Sequence, residues 1–365
     1  MSLSPATTEI ACQTVRWMAE LLDYPTSCSG VLVSGGNVAN HVGLYTALRS
    51  VFPRGSAVRT SDCMAKARLY ASTETHTWIE KAIDMFGFSP DALRSIKVDS
   101  SQRLKLEDLE SKLSEDLDAG CIPVAVIGTA GTVSTGAIDP LPAMARLCRQ
   151  HTVWFHVDGA YGGFAAMVKT APADIRGLSQ ADSVAIDPHK WLYAPLEAGC
   201  ALIRDPEKHR AAYSYHPPYY HFDEQVTNFV DYGFQNSRGF RALKVWLGLR
   251  QVGRRGYERM IADDIALSRQ LVDRLAEDDA FEVVTHSLSI VTFRYVPQEY
   301  RHRIGYPTSV AYLNELNQAI QPSLEVRVTL IVIYAFIEVR YLFPYCIVNF
   351  RTSAKHNTAI PEILP

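Results

Sequence analysis

The sequence predicts an α/β fold built on a mostly parallel sheet with helices on both faces. The chain has 365 residues, 47% hydrophobic and 21% charged, which is an ordinary balance for a globular protein with a large core. Short apolar runs are repeatedly followed by helical patterns, as in "VLV" (31–33) before 38–49 and "IPVAVIG" (122–128) before 142–150. Strands that alternate with helices in this way are typical of a parallel sheet.

The same alternation of short apolar runs and helical patterns predicts further elements. They are the strand "SIKV" (95–98) with a helix over 106–117, and the buried strands "VWFHV" (153–157), "SVAI" (183–186) and "CALI" (200–203). In a sheet of this kind, ligands bind at the carboxyl ends of the strands. The residues that follow each strand are therefore the first place to look for a functional site.

The pattern breaks between residues 204 and 239, a stretch rich in Tyr, His and Pro without a clear period. A segment of this length without regular structure is usually functional or mobile. Helices are predicted after it, over 240–253 and from 257 to about 278.

The remainder of the chain predicts a smaller α+β domain, with strands at "SIVTFRYV" (289–296) and "CIVNFR" (346–351). We therefore expect a large domain over 1–255 and a small one over 256–365. The nearly continuous apolar residues of 323–345 indicate a buried strand or a changed interface.

Composition and charge exclude several classes of function. The net charge is −3 and the Lys and Arg residues are scattered, so nothing favours nucleic acid or an anionic membrane as a partner. No run of eighteen apolar residues predicts a membrane span, and the first residues, "MSLSPATTEIACQ", lack the features of a secretion signal. The seven cysteines form no CxxC pair, which favours reduced thiols in a cytoplasmic protein over a disulfide or zinc framework.

The first strand continues into "SGGNVAN" (34–40), which opens a helix. Gly35 and Gly36 allow a tight turn, and the amides at the start of a helix can bind a phosphate. Taken alone, the same residues also fit a plain turn between a strand and a helix.

Asp158 follows the strand "VWFHV" directly and is itself followed by "GAYGG" (159–163). A carboxylate at the end of a buried strand is costly without a partner. A metal shared with His156 is one alternative, but no third ligand lies nearby in the sequence. A protonated ring nitrogen is the other, and the small residues after Asp158 would let a flat group approach.

The strand "SVAI" leads into "DPHKW" (187–191), which contains Lys190. A lysine at the mouth of a buried strand is a candidate for a covalent bond to an aldehyde, and a plain surface lysine leaves His189 and Trp191 unexplained. A phosphate cradle, an acid and a lysine are together what a pyridoxal phosphate (PLP) site requires. The acid keeps the pyridine nitrogen protonated, so that the ring can withdraw electrons from the substrate.

At this point the chain resembles the group II PLP-dependent decarboxylases of the aromatic-L-amino-acid decarboxylase type. The resemblance runs from about residue 5 to 322 and returns at "CIVNFRTS" (346–353). The motifs that carry it are "SGGNVAN", "ASTETHTWIEKA" (71–82), "GTVSTGAIDP" (131–140), "HVDGAYGG" (156–163), "DPHKWLY" (187–193) and "SRGFRALKVW" (237–246). It implies the aspartate-aminotransferase-like fold (fold type I), a large domain with a mostly parallel sheet plus a small C-terminal α+β domain.

The resemblance also implies a role for each matching residue. Lys190 is expected to bind the cofactor covalently. Asp158 is expected to bind the pyridine nitrogen, with Ala160 packed on the ring, and His76 is expected to stack on the opposite ring face and touch the substrate carboxylate.

The phosphate is expected to lie against four further residues: Gly36, Asn37, Asp187 and His189. Asn37 stands where the family usually has Ser or Thr, and it can still donate a hydrogen bond. Val133 replaces a hydroxyl residue in a "GTT"-like turn. No metal site is expected.

Tyr219, in the irregular stretch "HPPYYHF", matches the tyrosine of the family's mobile loop that donates a proton after carbon dioxide leaves. Tyr220 is a one-residue shift away, and an interface patch is the alternative interpretation of this tyrosine-rich stretch. The family also carries several dozen residues before the start of the match, which help to build the dimer and the substrate pocket. We expect this segment to be absent from the sequence.

The expected function is therefore PLP-dependent decarboxylation of an L-amino acid, with an aromatic one as first choice, to the amine and carbon dioxide. The expected protein is a cytoplasmic homodimer with a small-molecule amino-acid substrate. Two alternatives stay open. One is decarboxylation coupled to oxidative deamination, which gives an aldehyde, and the other is a truncated, non-catalytic member of the family.

Overall fold

The structure is a computed structural model that describes residues 4–53, 61–216, 226–327 and 334–357. The chain divides into two compact units, and the larger comprises Met1–Thr132 and Ile138–Glu258. The smaller comprises Val133–Ala137 and Arg259–Pro365. The predicted domain boundary between residues 255 and 256 stays a prediction.

The larger unit is built on one seven-stranded sheet. Its strands are β1 (Ser29–Val33), β2 (Ala67–Ser72), β3 (Leu93–Ile96), β4 (Ile122–Thr129), β5 (Trp154–Asp158), β6 (Ser183–Ile186) and β7 (Gly199–Ile203). The strand order is β1-β7-β6-β5-β4-β2-β3. The pairs from β6 through to β3 are parallel, and β7 runs antiparallel to both of its neighbours. The mostly parallel α/β sheet is thus confirmed.

Helices connect these strands. They are α1 (Pro5–Leu21), α2 (Gly36–Val51), α3 (Ser61–Lys66), α4 (Trp78–Phe86), α5 (Leu106–Asp118), α6 (Leu141–His151), α7 (Pro206–Tyr213) and α8 (Arg241–Ala276). The strands β5, β6 and β7 are buried along their whole length. Strands that are covered on both faces read as continuous apolar runs, which is why the sequence located them.

The range of α8 (Arg241–Ala276) holds two helical segments that join at a kink, where Gly253 is non-helical (φ 70°, ψ 167°). The two helices that the sequence predicts around this point are therefore both present. The rest of the smaller unit has helix α9 (Pro307–Arg327) and a four-stranded antiparallel sheet. Its strands are β8 (Phe281–Ser287), β9 (Ile290–Tyr295), β10 (Ala335–Ile337) and β11 (Arg340–Cys346), in the order β10-β11-β9-β8.

Two sequence-based expectations about local structure are wrong. The stretch 204–239 contains helix α7, which begins after the cap Asp205, whose side chain accepts hydrogen bonds from the amides of Glu207 and Lys208. Asp followed by Pro is a helix-start signal that the lack of a long apolar period obscured.

The predicted strand at 346–351 is also wrong, because β11 ends at Cys346, the partner of Ile290 in β9. Beyond it the backbone turns, and the amide of Thr352 donates to the carbonyl oxygen of Asn349 over 2.8 Å. Strand β2 was not predicted. Among the described residues, no helix is both long and apolar enough to cross a membrane.

Candidate active site

The turns that follow β1, β5 and β6 lie together at the carboxyl edge of the sheet, where helix α2 begins. A Cβ atom on Gly36 would lie 2.8 Å from Oδ2 of Asp187 and 3.0 Å from Cβ of Ala160. Gly35 has a φ of 154°, and a Cβ there would lie 3.5 Å from Cε1 of His189. The glycines therefore let helix α2 begin in direct contact with both strand ends.

Asp158 is the last residue of β5, and only 6% of it is exposed. Its Oδ1 accepts a hydrogen bond from the amide of Ala160 over 3.1 Å. Its Oδ2 accepts one from the indole Nε1 of Trp78 over 2.7 Å. An ionised carboxylate offers about four lone-pair sites, so two donors leave acceptor capacity for a further N–H group.

Asp187 follows β6 and is 2% exposed. Its Oδ2 lies 3.2 Å from Nζ of Lys190 and 3.6 Å from Nε2 of His189. Burial raises the pKa of Asp187, although the charges of Lys190 and His189 act in the opposite direction. The Oδ1 atom is buried and has no hydrogen-bond partner among the residues that the structure describes.

The segment after β6 orients the two basic side chains differently. The Nδ1 of His189 lies 2.7 Å from the carbonyl oxygen of Ala198, which fixes the imidazole ring against the residues that precede β7. The amide of Lys190 donates to the carbonyl oxygen of Asp187 over 2.9 Å, so the chain forms a turn here. The Lys190 side chain keeps 38% of its surface exposed and can reach a ligand from solvent.

His76 lies in the turn between β2 and α4 and is exposed. Its Nδ1 accepts a hydrogen bond from the backbone amide of Trp78 over 3.1 Å. The structure thus links His76 to Asp158 through Trp78. Asn37 is half-buried in the first turn of α2, next to Gly36. Tyr219 and Tyr220 lie outside the described residues.

His156 belongs to a buried network behind the strand end, which argues against its use as a metal ligand with Asp158. Its Nε2 lies 2.8 Å from Oδ1 of Asn40, and its Nδ1 lies 2.8 Å from the hydroxyl of Ser183. That hydroxyl accepts a hydrogen bond from Nε1 of Trp154 over 2.8 Å. Burial lowers the pKa of His156 to about 4. The ring is therefore neutral at physiological pH, and both of its nitrogens are engaged.

The side chains at this edge of the sheet have the groups that PLP binding requires. Within the described part of the chain, the buried Oδ1 of Asp187 has no hydrogen-bond partner, and Asp158 keeps lone pairs beyond those that accept hydrogen bonds. The amine of Lys190 lies 3.2 Å from Oδ2 of Asp187. The close approach at Gly36 leaves backbone amides at the start of α2, where a phosphate would be favoured. Among the described residues, no cluster of three or more His, Cys, Asp or Glu side chains could hold a metal.

The contact between the indole of Trp78 and Asp158 could not be predicted from the sequence. Trp78 stands in the motif "ETHTW", yet nothing in its spacing indicates that its indole reaches a carboxylate 80 residues further along the chain. No local signal in the sequence could have pointed to this contact, because it depends on the packing of helix α4 beside the end of β5.

Comparison with known proteins identifies the family. The sequence pattern described as "Pyridoxal-dependent decarboxylase conserved domain" matches residues 1–296. The chain is 32% identical over 352 residues to an aromatic-L-amino-acid decarboxylase of Bacillus atrophaeus, covering 95% of this chain and 70% of that protein. It is 32% identical over 304 residues to tyrosine decarboxylase 2 of Arabidopsis thaliana, covering 80% of this chain but 56% of that protein.

Solved structures agree with this assignment. The structure of Oryza sativa TDC with PLP and tryptamine matches with a TM-score of 0.90 and 26% identity, covering 99% of this chain and 75% of that one. Mouse CSAD matches with a TM-score of 0.90 and 27% identity, covering 99% and 76%. The predicted family, fold and cofactor are confirmed. The chain belongs to the pyridoxal-dependent decarboxylase family, which supports the expected activity of a PLP-dependent amino-acid carboxy-lyase.

Proposed function

We propose that this chain removes the α-carboxylate of an L-amino acid with the help of PLP and releases the amine and carbon dioxide. One observation carries the proposal. A buried aspartate with free acceptor capacity, Asp158, lies at the same sheet edge as the Lys190–Asp187 pair and the start of helix α2. This edge is where an open α/β sheet binds its ligand.

Each residue of this edge would make a separate contribution. The amine of Lys190 would hold the cofactor, and Asp158 would face its ring nitrogen with the charge that keeps this nitrogen protonated. When bound, PLP supplies an electron sink for the bond that breaks. Ala160 would pack on one ring face, and His76 would cover the other and contact the substrate carboxylate.

The phosphate would lie at the start of α2, against Gly36 and Asn37. His189 would approach it from the segment after β6. Asp187 would hold the amine of Lys190 in place, over the 3.2 Å contact already present, until the cofactor arrives. Its partnerless Oδ1 is the second acceptor that the bound cofactor or an ordered water would satisfy.

An aromatic amino acid is the first choice of substrate. This choice rests on the relatives, which include an aromatic-L-amino-acid decarboxylase, two tyrosine decarboxylases and a tryptophan decarboxylase among those of about 30% identity. The fold by itself does not fix the substrate, because the walls of a pocket come from scattered side chains.

The direct test is a product assay on protein loaded with PLP. We expect carbon dioxide and the matching amine from at least one of tyrosine, tryptophan, phenylalanine and 3,4-dihydroxyphenylalanine, and slower turnover of glutamate, aspartate and 2,4-diaminobutyrate. Turnover of the acidic or diamino substrates alone would contradict the aromatic assignment. Binding of PLP without any turnover would support the non-catalytic alternative.

A second candidate function is decarboxylation coupled to oxidative deamination, in which oxygen is consumed and an aldehyde and ammonia form. It is favoured by relatives named phenylacetaldehyde synthase in Arabidopsis thaliana and a Rosa hybrid cultivar, each 30% identical over 303 residues. Having a tyrosine at position 219 favours the amine, because a phenol held over the ring can donate the proton that quenches the carbanion.

The variant Tyr219→Phe separates the two outcomes. We expect it to keep the cofactor spectrum, to slow amine formation and to shift the product toward aldehyde and ammonia with oxygen uptake. Tyr220→Phe is the matched control one residue away. If only Tyr220→Phe has this effect, the assignment is off by one residue, and if neither has it, the role of this loop is refuted.

We further propose a cytoplasmic homodimer. The seven cysteines include no CxxC pair, which suits a reducing compartment. Phe240, Leu243 and Leu247 lie three and four residues apart near the start of α8 and are 39%, 38% and 51% exposed. Such spacing forms one apolar stripe, which favours a subunit contact. We expect light scattering to give twice the chain mass, and Leu247→Lys to shift the protein toward the monomer.

A further inference from the structure

Among the residues that the structure describes, two donors contact the carboxylate of Asp158, and they come from different parts of the chain. The amide of Ala160 belongs to the same turn, two residues along the chain. The indole of Trp78 comes from helix α4 and reaches Oδ2 over 2.7 Å. We propose that Trp78 is a positioning residue, whose indole N–H fixes the orientation of the carboxylate that faces the cofactor's ring nitrogen. This inference rests on the proposed function.

The two donors require the oxygens of Asp158 to act as acceptors, because an indole N–H and a backbone amide can only donate. Each oxygen accepts one of these hydrogen bonds. Lone pairs remain on both oxygens, and they can accept the ring N–H of the cofactor.

The neighbouring imidazole cannot replace this donor. His156 lies on the same strand as Asp158, but its nitrogens are engaged by Asn40 and Ser183. The His156 ring is neutral and its nitrogens bind other residues, so it does not serve the carboxylate. Among the described residues, the side-chain donor to the carboxylate is therefore Trp78.

The indole of Trp78 is held rigidly, which a positioning role requires. The residue is fully buried. Its ring meets the ring of His156 edge-on at 5.8 Å and that of His41 at 6.2 Å. Its carbonyl oxygen lies 3.3 Å from Nε2 of His41. Close packing on these sides prevents the indole from turning away from the carboxylate.

The same residue also orients the second side chain that is proposed to face the cofactor. The backbone amide of Trp78 donates to Nδ1 of His76 over 3.1 Å. In the neutral imidazole the proton then lies on Nε2, which is left to donate to the substrate or the cofactor. Trp78 thus connects Asp158 with His76, the first through its side chain and the second through its backbone.

The test uses Trp78→Phe, which removes the N–H donor and keeps an aromatic ring. Trp154→Phe is the matched control, because it also removes one buried indole donor, but that indole binds Ser183 instead of a carboxylate. Both proteins are loaded with PLP labelled with nitrogen-15 in the ring. The measurements are the nitrogen chemical shift at neutral pH, the Kd for PLP, kcat and KM, and the melting temperature.

We expect Trp78→Phe to lower the protonated fraction of the ring nitrogen. Its kcat should fall about 10- to 100-fold, the effect of losing one hydrogen bond to a charged group, with little change in KM. Trp154→Phe should destabilise the protein to a similar degree but keep the nitrogen shift of the wild type. A wild-type nitrogen shift in Trp78→Phe, or the same altered shift in both variants, would overturn the inference.

A double-mutant cycle tests whether Trp78 acts through Asp158. In an Asp158→Asn background, Trp78→Phe should change kcat by no more than about twofold, because coupled residues are not additive. An equal loss in both backgrounds would refute the coupling. If Trp78→Phe does not fold, β-(3-benzothienyl)alanine at position 78 keeps the indole shape without the N–H group and gives the same readout.

The outcomes separate this inference from the proposed function. A wild-type protein that takes up no PLP, or turns over no amino acid, refutes the function. A wild-type protein that does both, beside a Trp78→Phe variant with unchanged nitrogen shift and kcat, refutes the role of Trp78 alone.

Discussion

Two buried aspartates in the larger unit, Asp116 and Asp187, have pKa values that are shifted in opposite directions. Asp116, on helix α5, is 3% exposed and accepts hydrogen bonds from Nε of Arg94 over 2.9 Å and from the hydroxyl of Tyr70 over 3.0 Å. Burial favours its neutral form, but the hydrogen bonds from Arg94 and Tyr70 together hold its pKa below the ordinary value. Asp187 is about as buried, one of its oxygens has no hydrogen-bond partner in the described ranges, and burial raises its pKa.

The difference distinguishes two roles. The carboxylate of Asp116 stabilises the fold, whereas that of Asp187 has acceptor capacity left for a ligand. A buried polar group without a partner costs stability, so a chain normally supplies donors to it, as it does at Asp116. At the carboxyl edge of the sheet, the described residues supply fewer hydrogen-bond donors than the oxygens of Asp158 and Asp187 could accept. Substitutions at the two places should therefore have separable effects, on stability at Asp116 and on cofactor chemistry at the sheet edge.

The largest effect is expected from Lys190→Ala, which removes the amine proposed to hold the cofactor. Turnover should fall below detection, and borohydride reduction should no longer fix PLP to the chain. Mass spectrometry of the reduced peptides measures this. Lys208→Ala is the matched control, since Lys208 pairs with Asp205 at the surface and should keep both properties. A borohydride-fixed cofactor in Lys190→Ala would show that another amine holds it.

Asp158→Asn should follow in size. The amide keeps the shape of the side chain but loses the charge that favours a protonated ring nitrogen, so kcat should fall on the order of a hundredfold or more. The melting temperature of the protein without cofactor should change little by comparison. Turnover near that of the wild type would refute the role of Asp158.

Gly36→Ala probes the close approach between helix α2 and the strand ends. Its Cβ would meet Oδ2 of Asp187 at 2.8 Å and Cβ of Ala160 at 3.0 Å. Overpacking of about 1–3 kcal/mol should weaken PLP binding about 5- to 100-fold, measured by absorbance titration. Gly305→Ala, where an added Cβ meets nothing within 4 Å, is the control and should keep the wild-type Kd. Equal affinities would mean that PLP does not use this turn.

Asp116→Asn should affect stability and leave the cofactor spectrum unchanged. Losing the buried partner of Arg94 and Tyr70 should cost about 2 kcal/mol of unfolding free energy, measured by urea denaturation.

The stability lost in Asp116→Asn should depend on pH, which tests the contrast between Asp116 and Asp187 further. An aspartate with a lowered pKa in the folded state contributes stability that is present above its unfolded pKa, about 4, and is lost as the pH falls through the folded value. The difference between wild type and Asp116→Asn should therefore shrink in acid. A constant difference down to strongly acidic pH would show that ionisation of Asp116 does not stabilise the fold.

Much of the fold could be predicted because the buried strands carry local signals. Strand β6 (Ser183–Ile186) lies where the apolar run predicts it, and the motifs that follow β1, β5 and β6 meet at one edge of the sheet. Strand β2 was missed because Arg68 and the polar residues around it interrupt the apolar run. The end of β11 was misplaced because "CIVNF" has strand composition, whereas pairing with β9 stops at Cys346.

The sequence by itself determined the family, the cofactor and the residues at each strand end, because these depend on motifs of a few neighbouring residues. Only the tertiary structure decided which side chains share a hydrogen bond across the sheet. The indole of Trp78 meets Asp158 because helix α4 packs beside the end of β5, and Asn40 meets His156 because α2 covers the same strand. Such contacts join residues 80 and 116 positions apart, and their geometry is set by packing between elements rather than by any local pattern.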